Sequence, residues 1–175
     1  MSSLEAIISW RRYLRNRLHR LLQRAGWEIL NTPISMGDRQ EAPIELVQKL
    51  DKVHLNICNS IERYAFKLPE AEQRFRKIDY LPMDTGPVAF SEMFFKHYMM
   101  VTAFIESLKS QEWNSLLETK VSTAPVTVKW MVEYCCFYEQ SIIDQLIMLI
   151  KVEHPEFHVP WAMSQYLRPV VSPDI

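Results

Sequence analysis

Apolar residues recur every three or four positions in four long segments of this chain, and prolines and turn-forming residues separate the segments. The segments are residues 3–25, 43–68, 87–109 and 125–153. This spacing places the apolar side chains on one face of an α-helix and therefore predicts four long helices. Each apolar face must be buried against another element, and the connections are short. The pattern therefore predicts a helical bundle.

Glycine is scarce, with 3 residues in 175, whereas a typical globular protein has about 7%. Glycine supplies left-handed turns and allows the backbone to approach phosphates closely, so its scarcity disfavours β-rich folds and glycine-rich nucleotide loops. Shorter helical segments are predicted at residues 69–78 and 113–121. We therefore predict an all-α fold, a single-domain helical bundle of four to five main helices with an irregular Pro-rich C-terminal tail.

A chain of 175 residues suits one domain. Within that domain the sequence predicts four parts. These are a basic amphipathic helix (1–25), a connection (26–43), the bundle helices (44–153) and the tail (154–175). Ser2 or Ser3 is expected to cap the first helix, and Gly26 to end it in a left-handed conformation. The fourth long helix is expected to take its cap from Ser122 or Thr123.

The first predicted helix is strongly basic, although the whole chain has a net charge of only −1. Residues 1–25 contain six arginines against Glu5 alone, a net charge of +5, so the other 150 residues sum to −6. A basic arm on a mildly acidic body is the most distinctive feature of the composition.

Most of these arginines project away from the apolar face of the first helix. A helical wheel places Arg17, Arg20 and Arg24 in one row, which Trp10 and Tyr13 extend towards the N-terminus. Guanidinium groups form planar forks that suit carboxylates and phosphates, and they stack on aromatic rings. The predicted partner- or nucleic-acid-binding residues are Trp10, Arg12, Tyr13, Arg17, Arg20 and Arg24. By contrast, Arg11 and Arg15 lie at the edge of the apolar face, so they must snorkel or find acids within the bundle.

Four interpretations of this helix compete. The first is a solvated face whose arginines pair with the body's acids, and the second is a docking surface for an acidic protein. The third is a nucleic-acid surface that contacts phosphates, and the fourth is a membrane-surface helix or organellar presequence. The acids considered for the first interpretation are Glu41, Glu45, Glu70, Glu72 and Glu92.

No linear catalytic motif occurs in the sequence. The phosphate-binding patterns GxxxxGK followed by Ser or Thr, and GxGxxG, are absent, as are GxSxG and HExxH. We therefore expect a protein that is not an enzyme and needs no cofactor. The favoured function is a helical subunit or accessory adaptor of a larger assembly, which binds a protein partner through the Arg/aromatic face. The alternative is a nucleic-acid-binding accessory protein that uses the same face, and a homo-oligomer is also compatible with the sequence.

Histidine and cysteine spacing gives no metal site. Only one acid stands three residues before a histidine, Asp51 before His54, whereas di-iron bundles need two such motifs. Pro155 interrupts the pair His154 and His158, which we expect to be solvated or capping residues.

The three cysteines (Cys58, Cys135 and Cys136) contain no CxxC pair, which favours a reducing compartment and a cytoplasmic location. An organellar location is compatible with the Arg-rich, acid-poor N-terminal segment. No run of 18 apolar residues exists, so we expect no membrane span.

Overall fold

The computed structural model describes residues 3–82, 85–118 and 123–159, and these residues are mostly helical. The prediction of an all-α fold is confirmed at this level. The described part of the chain contains four α-helices: α1 Leu4–Asn31, α2 Pro43–Ser60, α3 Pro87–Ser107 and α4 Val128–Glu153.

Caps and prolines define where the helices begin. Ser3 caps α1, because its Oγ accepts a hydrogen bond from the Ala6 amide at 3.2 Å. Pro87 occupies the first turn of α3, where its missing N–H costs no helical hydrogen bond. At α4 the Thr127 hydroxyl accepts from the Trp130 amide at 3.1 Å. The cap predicted at Ser122 or Thr123 is therefore provided by Thr127, while Ser122 itself lies outside the described residues.

Helix α1 is longer than predicted, because Gly26 bends it without ending it. Gly26 has φ +70° and ψ 168°, which is not helical, and the helix then resumes as far as Asn31. The connection predicted at residues 26–43 instead contains the last turn of α1 and a hairpin. Its strands are β1 Ile34–Met36 and β2 Arg39–Glu41, joined by a turn in which Gly37 has φ +63°.

The helix predicted over residues 43–68 ends at Ala65 and is not α-helical throughout. Helix α2 ends at Ser60 and continues as a π-helical turn, Ile61–Ala65. The short helix predicted at 69–78 is only a 3-10 turn, Phe75–Lys77. Buried Glu62 holds this segment in place, because its carboxylate accepts from Arg74 Nε and from the Phe75 amide, each at 3.1 Å.

A second small hairpin precedes α4. A 3-10 turn, Glu112–Asn114, leads into β3 Leu116–Leu117, which pairs antiparallel with β4 Val126–Thr127. Of the helical segment predicted at 113–121, residues 119–121 lie outside the described part of the chain, and the rest is this turn and strand. Strands of two or three residues are too short to show an alternating apolar pattern, so the sequence did not predict them.

The described residues fall into two compact units, one within Met1–Ile44 and Glu139–Ile175 and the other within Glu45–Tyr138. The single-domain organisation therefore stays a prediction. In the first unit, α1 and the C-terminal half of α4 supply the buried apolar core: Ile7, Leu14, Leu18, Leu21, Ile143, Leu146 and Ile150. In the second unit the core includes Leu50, Leu55, Ile61, Phe94, Val101, Ile105 and Val132.

The Pro-rich tail was predicted at residues 154–175, and its residues 160–175 lie outside the described part of the chain. Residues 154–159 form a turn in which Phe157 and Val159 are buried. Among the described helices, none combines the length and the apolar character that a membrane crossing requires.

Candidate functional site on helix α1

The two faces of α1 differ sharply in exposure, as the 3.6-residue period requires. Its inner face repeats at spacings of three or four residues and consists of Ile7, Arg11, Leu14, Leu18, Leu21 and Ala25, all buried. Its outer face is exposed and polar from the middle of the helix onward, with Arg12, Asn16, His19, Arg20, Gln23 and Arg24. The six arginines of the helix are therefore divided between different environments.

Arg11 lies on the inner face and is only 2% exposed. Its guanidinium Nη1 lies 3.4 Å from Glu139 Oε2, and the Glu139 side chain is fully buried. A buried arginine is tolerated only when a carboxylate compensates its charge, because leaving one such ion unpaired in the interior is costly. Of the two outcomes expected for Arg11, the structure shows pairing with an acid.

Arg17 also bonds to an acid of its own chain. Its guanidinium Nη2 lies 3.2 Å from Asp144 Oδ1, and the Arg17 side chain is 15% exposed against 52% for Asp144. Both ion pairs join α1 to α4, and residue numbers rise together in the two pairs. The two helices therefore run in the same direction where these side chains meet.

The acids that pair with α1 differ from those considered in the sequence. Glu139 and Asp144 both belong to α4, more than 120 residues away in the chain. Sequence reasoning missed them, although one signal was present. Glu139 continues the spacing of the buried α4 residues Val132, Cys135, Ile142 and Leu146, so an acid on that apolar face should have indicated a buried cation nearby.

The structure places the six predicted site residues in two groups. Arg12, Arg20 and Arg24 are exposed, and we call these three residues the arginine face. Trp10, Tyr13 and Arg17 are half-buried and lie at the border of that face. The row predicted from Trp10 to Arg24 is therefore brought to one side of the helix, but only part of it is open to solvent.

Arg20 and Arg24 share a groove that is open to solvent. The described residues that line it are Arg20, Gln23, Arg24 and Val159, and its volume is about 400 Å³. Neither Arg20 nor Arg24 forms an ion pair with a described residue. Guanidinium groups carry only hydrogen-bond donors, and the glutamine amide adds two more, so the polar wall of this groove is suited to an anion.

Helix α1 itself places only basic charges around the groove. No acidic residue occurs between Glu5 and Glu28 in the sequence of α1. The acids paired with Arg11 and Arg17 belong to α4 and lie at the inner side and the border of α1. The charged side chains that α1 itself places on its outer face between Glu5 and Glu28 are all arginines. A concentrated positive face attracts anions from solution and speeds their association.

A buried acid–histidine pair lies in the second unit. Both Asp51 oxygens lie 3.1 Å from His97 Nδ1, and the His54 ring centroid is 5.7 Å from that of Tyr98. Asp51, His54 and His97 are each at most 5% exposed. A general base must reach the proton that it removes from a substrate. The burial of this pair instead suits it to linking α2 and α3.

The remaining histidines and cysteines do not gather into a site within the described ranges. No group of three His, Cys, Asp or Glu side chains there is arranged as metal ligands. His154 lies 3.8 Å from Glu156 at the end of α4, and His158 is exposed. All three cysteines are buried and none forms a disulfide. The arginine face and its groove are therefore the strongest candidate site.

No family model, no curated protein and no solved structure matches this chain.

Proposed function

We propose that this protein is a helical accessory subunit that binds an acidic protein partner through the arginine face of α1. One observation supports the proposal most strongly. Arg11 and Arg17 each have an acid of the same chain beside them, whereas Arg20 and Arg24 share an open groove and form no ion pair with a described residue. The exposed pair is therefore available to carboxylates or phosphates of another molecule.

The residues around the groove suit a protein interface. Arginine, tyrosine and tryptophan are the residue types that contribute most to binding energy in such interfaces. Here Trp10 and Tyr13 border the arginine face and are half-buried. The two rings supply apolar contact, while the guanidinium groups supply charge and orientation. Complementary charge also raises the rate at which two proteins meet.

A protein partner is favoured over nucleic acid because the exposed positive surface is small. Only Arg12, Arg20 and Arg24 of the six arginines are exposed on α1. Nucleic-acid-binding domains usually present a larger basic surface and a basic net charge, whereas this chain has a net charge of −1. Three phosphate contacts would also give only weak, salt-sensitive binding.

Charge reversal of the groove provides the test. The tagged full-length chain and the double variant Arg20→Glu/Arg24→Glu are purified from the cells that produce the protein, and co-purifying proteins are identified by mass spectrometry. The matched control is Arg39→Glu/Arg63→Glu, which changes the net charge equally at two exposed arginines outside α1. We expect the groove variant to lose an acidic partner that the control retains.

A parallel titration distinguishes the nucleic-acid alternative. Labelled single- and double-stranded DNA and RNA are titrated with the wild-type protein across a salt series that begins at about 50 mM. We expect no binding that depends on Arg20 and Arg24. An unchanged set of co-purifying proteins in the groove variant would contradict the proposal. A log–log salt slope of about −3 that the same variant abolishes would replace it with nucleic-acid binding.

A further inference from the structure

We infer that the groove formed by Arg20, Gln23 and Arg24 binds a phosphate monoester, presented by a phosphorylated side chain of the partner. This inference rests on the proposed function and specifies the group that the arginine face recognises. The sequence motifs indicate no phosphate site, because the usual glycine-rich loops are absent. The site is instead built from side chains on one helix turn.

The spacing of the three side chains lets them act on one ligand. Arg20 and Arg24 are four residues apart on α1, so their Cβ atoms are about 5–6 Å from each other. Gln23 lies beside them, and all three side chains line the same groove. A single tetrahedral group between the two guanidinium forks can therefore accept hydrogen bonds from both, and the Gln23 amide can donate to a third oxygen.

The charge of the groove matches a phosphate monoester better than a carboxylate or a phosphodiester. The two guanidinium groups carry two positive charges that no described acid compensates. A phosphorylated side chain carries about −1.5 to −2 at pH 7 and has three strong acceptor oxygens. A carboxylate carries −1 on two oxygens, and each phosphodiester of a nucleic acid also carries only −1. The monoester alone of these three matches both the charge and the number of donors.

The rest of the groove suits a side chain attached to that phosphate. The groove is wide open to solvent, and its volume is about 400 Å³. This is larger than a phosphoryl group, so the groove also has room for the carbon stem and adjoining backbone of a peptide. Val159 also lines the groove.

Arg12 is too distant to take part in the same phosphate site. It lies eight residues before Arg20, a separation of about 12 Å along a helix that rises 1.5 Å per residue. Arg17 already bonds to Asp144 and is mostly buried. The phosphate is therefore assigned to Arg20, Gln23 and Arg24 alone.

Small probes test the chemistry directly. The full-length protein, labelled with ¹⁵N, is titrated with N-acetyl-phosphoserine amide, N-acetyl-glutamate amide and dimethyl phosphate, and the arginine Nε–H signals are followed by NMR. We expect the monoester to shift the signals of Arg20 and Arg24, with an affinity roughly tenfold above the other two probes because it can form charge-assisted bonds to both forks. Its affinity should fall as the pH drops through about 6, where the monoester loses its second charge while arginine stays protonated.

Variants then locate the site. Arg20→Ala and Arg24→Ala should each abolish the monoester response, and Arg20→Lys/Arg24→Lys should retain charge but lose most of the preference over the carboxylate probe. Arg39→Ala, at an exposed arginine outside α1, is the matched control and should change nothing. Equal affinities for the three probes, a response unaffected by Arg24→Ala or an affinity independent of pH would overturn the inference.

The two proposals can fail separately. If charge reversal of Arg20 and Arg24 removes the protein partner but the monoester binds no better than the carboxylate, the phosphate inference is wrong and the proposed function remains. If the monoester binds but the set of co-purifying proteins is unchanged, the proposed function is wrong. Phosphatase treatment of the captured partner should release it from the wild-type protein, and retention after treatment would contradict the phosphate inference.

Discussion

The inner and outer faces of α1 carry the same residue type in opposite roles. On the inner face Arg11 is buried against Glu139, and at the border Arg17 bonds to Asp144. On the outer face Arg20 and Arg24 line an open groove and form no ion pair with a described residue. All charged residues of α1 between Glu5 and Glu28 are basic, so the sequence of the helix does not by itself show which arginines pair with acids of the same chain.

This comparison shows that the acids packed against a helix determine which of its arginines stabilise the fold and which remain available to another molecule. An arginine beside a buried carboxylate contributes to folding, because removing either partner leaves the other charge without compensation. An exposed arginine contributes little to stability and keeps its donors available for another molecule. The account therefore predicts a gradient of stability effects across α1, from Arg11 through Arg17 to Arg20 and Arg24.

The largest effect is expected at the inner face. Arg11→Met should reduce the free energy of unfolding by about 3–5 kcal/mol, because the Glu139 carboxylate would remain buried without its cation. Urea denaturation followed by circular dichroism measures this change. The matched control is Arg20→Met on the outer face, which should change stability by less than about 0.5 kcal/mol.

A compensating double variant tests whether the buried ion pair causes that loss of stability. Arg11→Met combined with Glu139→Leu removes both charges and keeps apolar volume in the core, so most of the lost stability should return. If the double variant is no more stable than Arg11→Met alone, the loss arises from packing and the ion pair is not its cause.

An intermediate effect is expected at the border of the helix. A double-mutant cycle with Arg17→Ala and Asp144→Ala should give a coupling energy of about 0.2–1 kcal/mol, because the pair is partly solvated. The coupling should shrink further as salt rises, since exposed charges are screened by dissolved ions. A coupling as large as that between Arg11 and Glu139 would break the proposed gradient.

Most of the fold could be predicted from the sequence, because local signals define it. Apolar periodicity located all four helices, and the cap at Ser3 and the first-turn proline of α3 are local features. The wrong predictions concern features that depend on tertiary packing or on very short segments. Gly26 bends α1 without ending it, and the two hairpins have strands too short for a recognisable pattern.

The candidate site could be predicted only in part. The wheel correctly separated exposed Arg12, Arg20 and Arg24 from the apolar face, because that separation depends on helix geometry alone. It could not show that Arg17 meets Asp144, since the two residues are 127 positions apart and their contact depends on how α1 packs against α4. The groove at Arg20 was also invisible, because Val159 belongs to a distant segment.

The smallest stability effect belongs to the outer face, and it tests the central claim most directly. Arg20→Ala/Arg24→Ala should leave the free energy of unfolding within about 0.5 kcal/mol of the wild-type value. The same protein samples are used to measure capture of the partner, and this capture should be lost. Unchanged unfolding with lost capture is the result that the account predicts. A loss of stability comparable with that of Arg11→Met, or full capture of the partner, would contradict it.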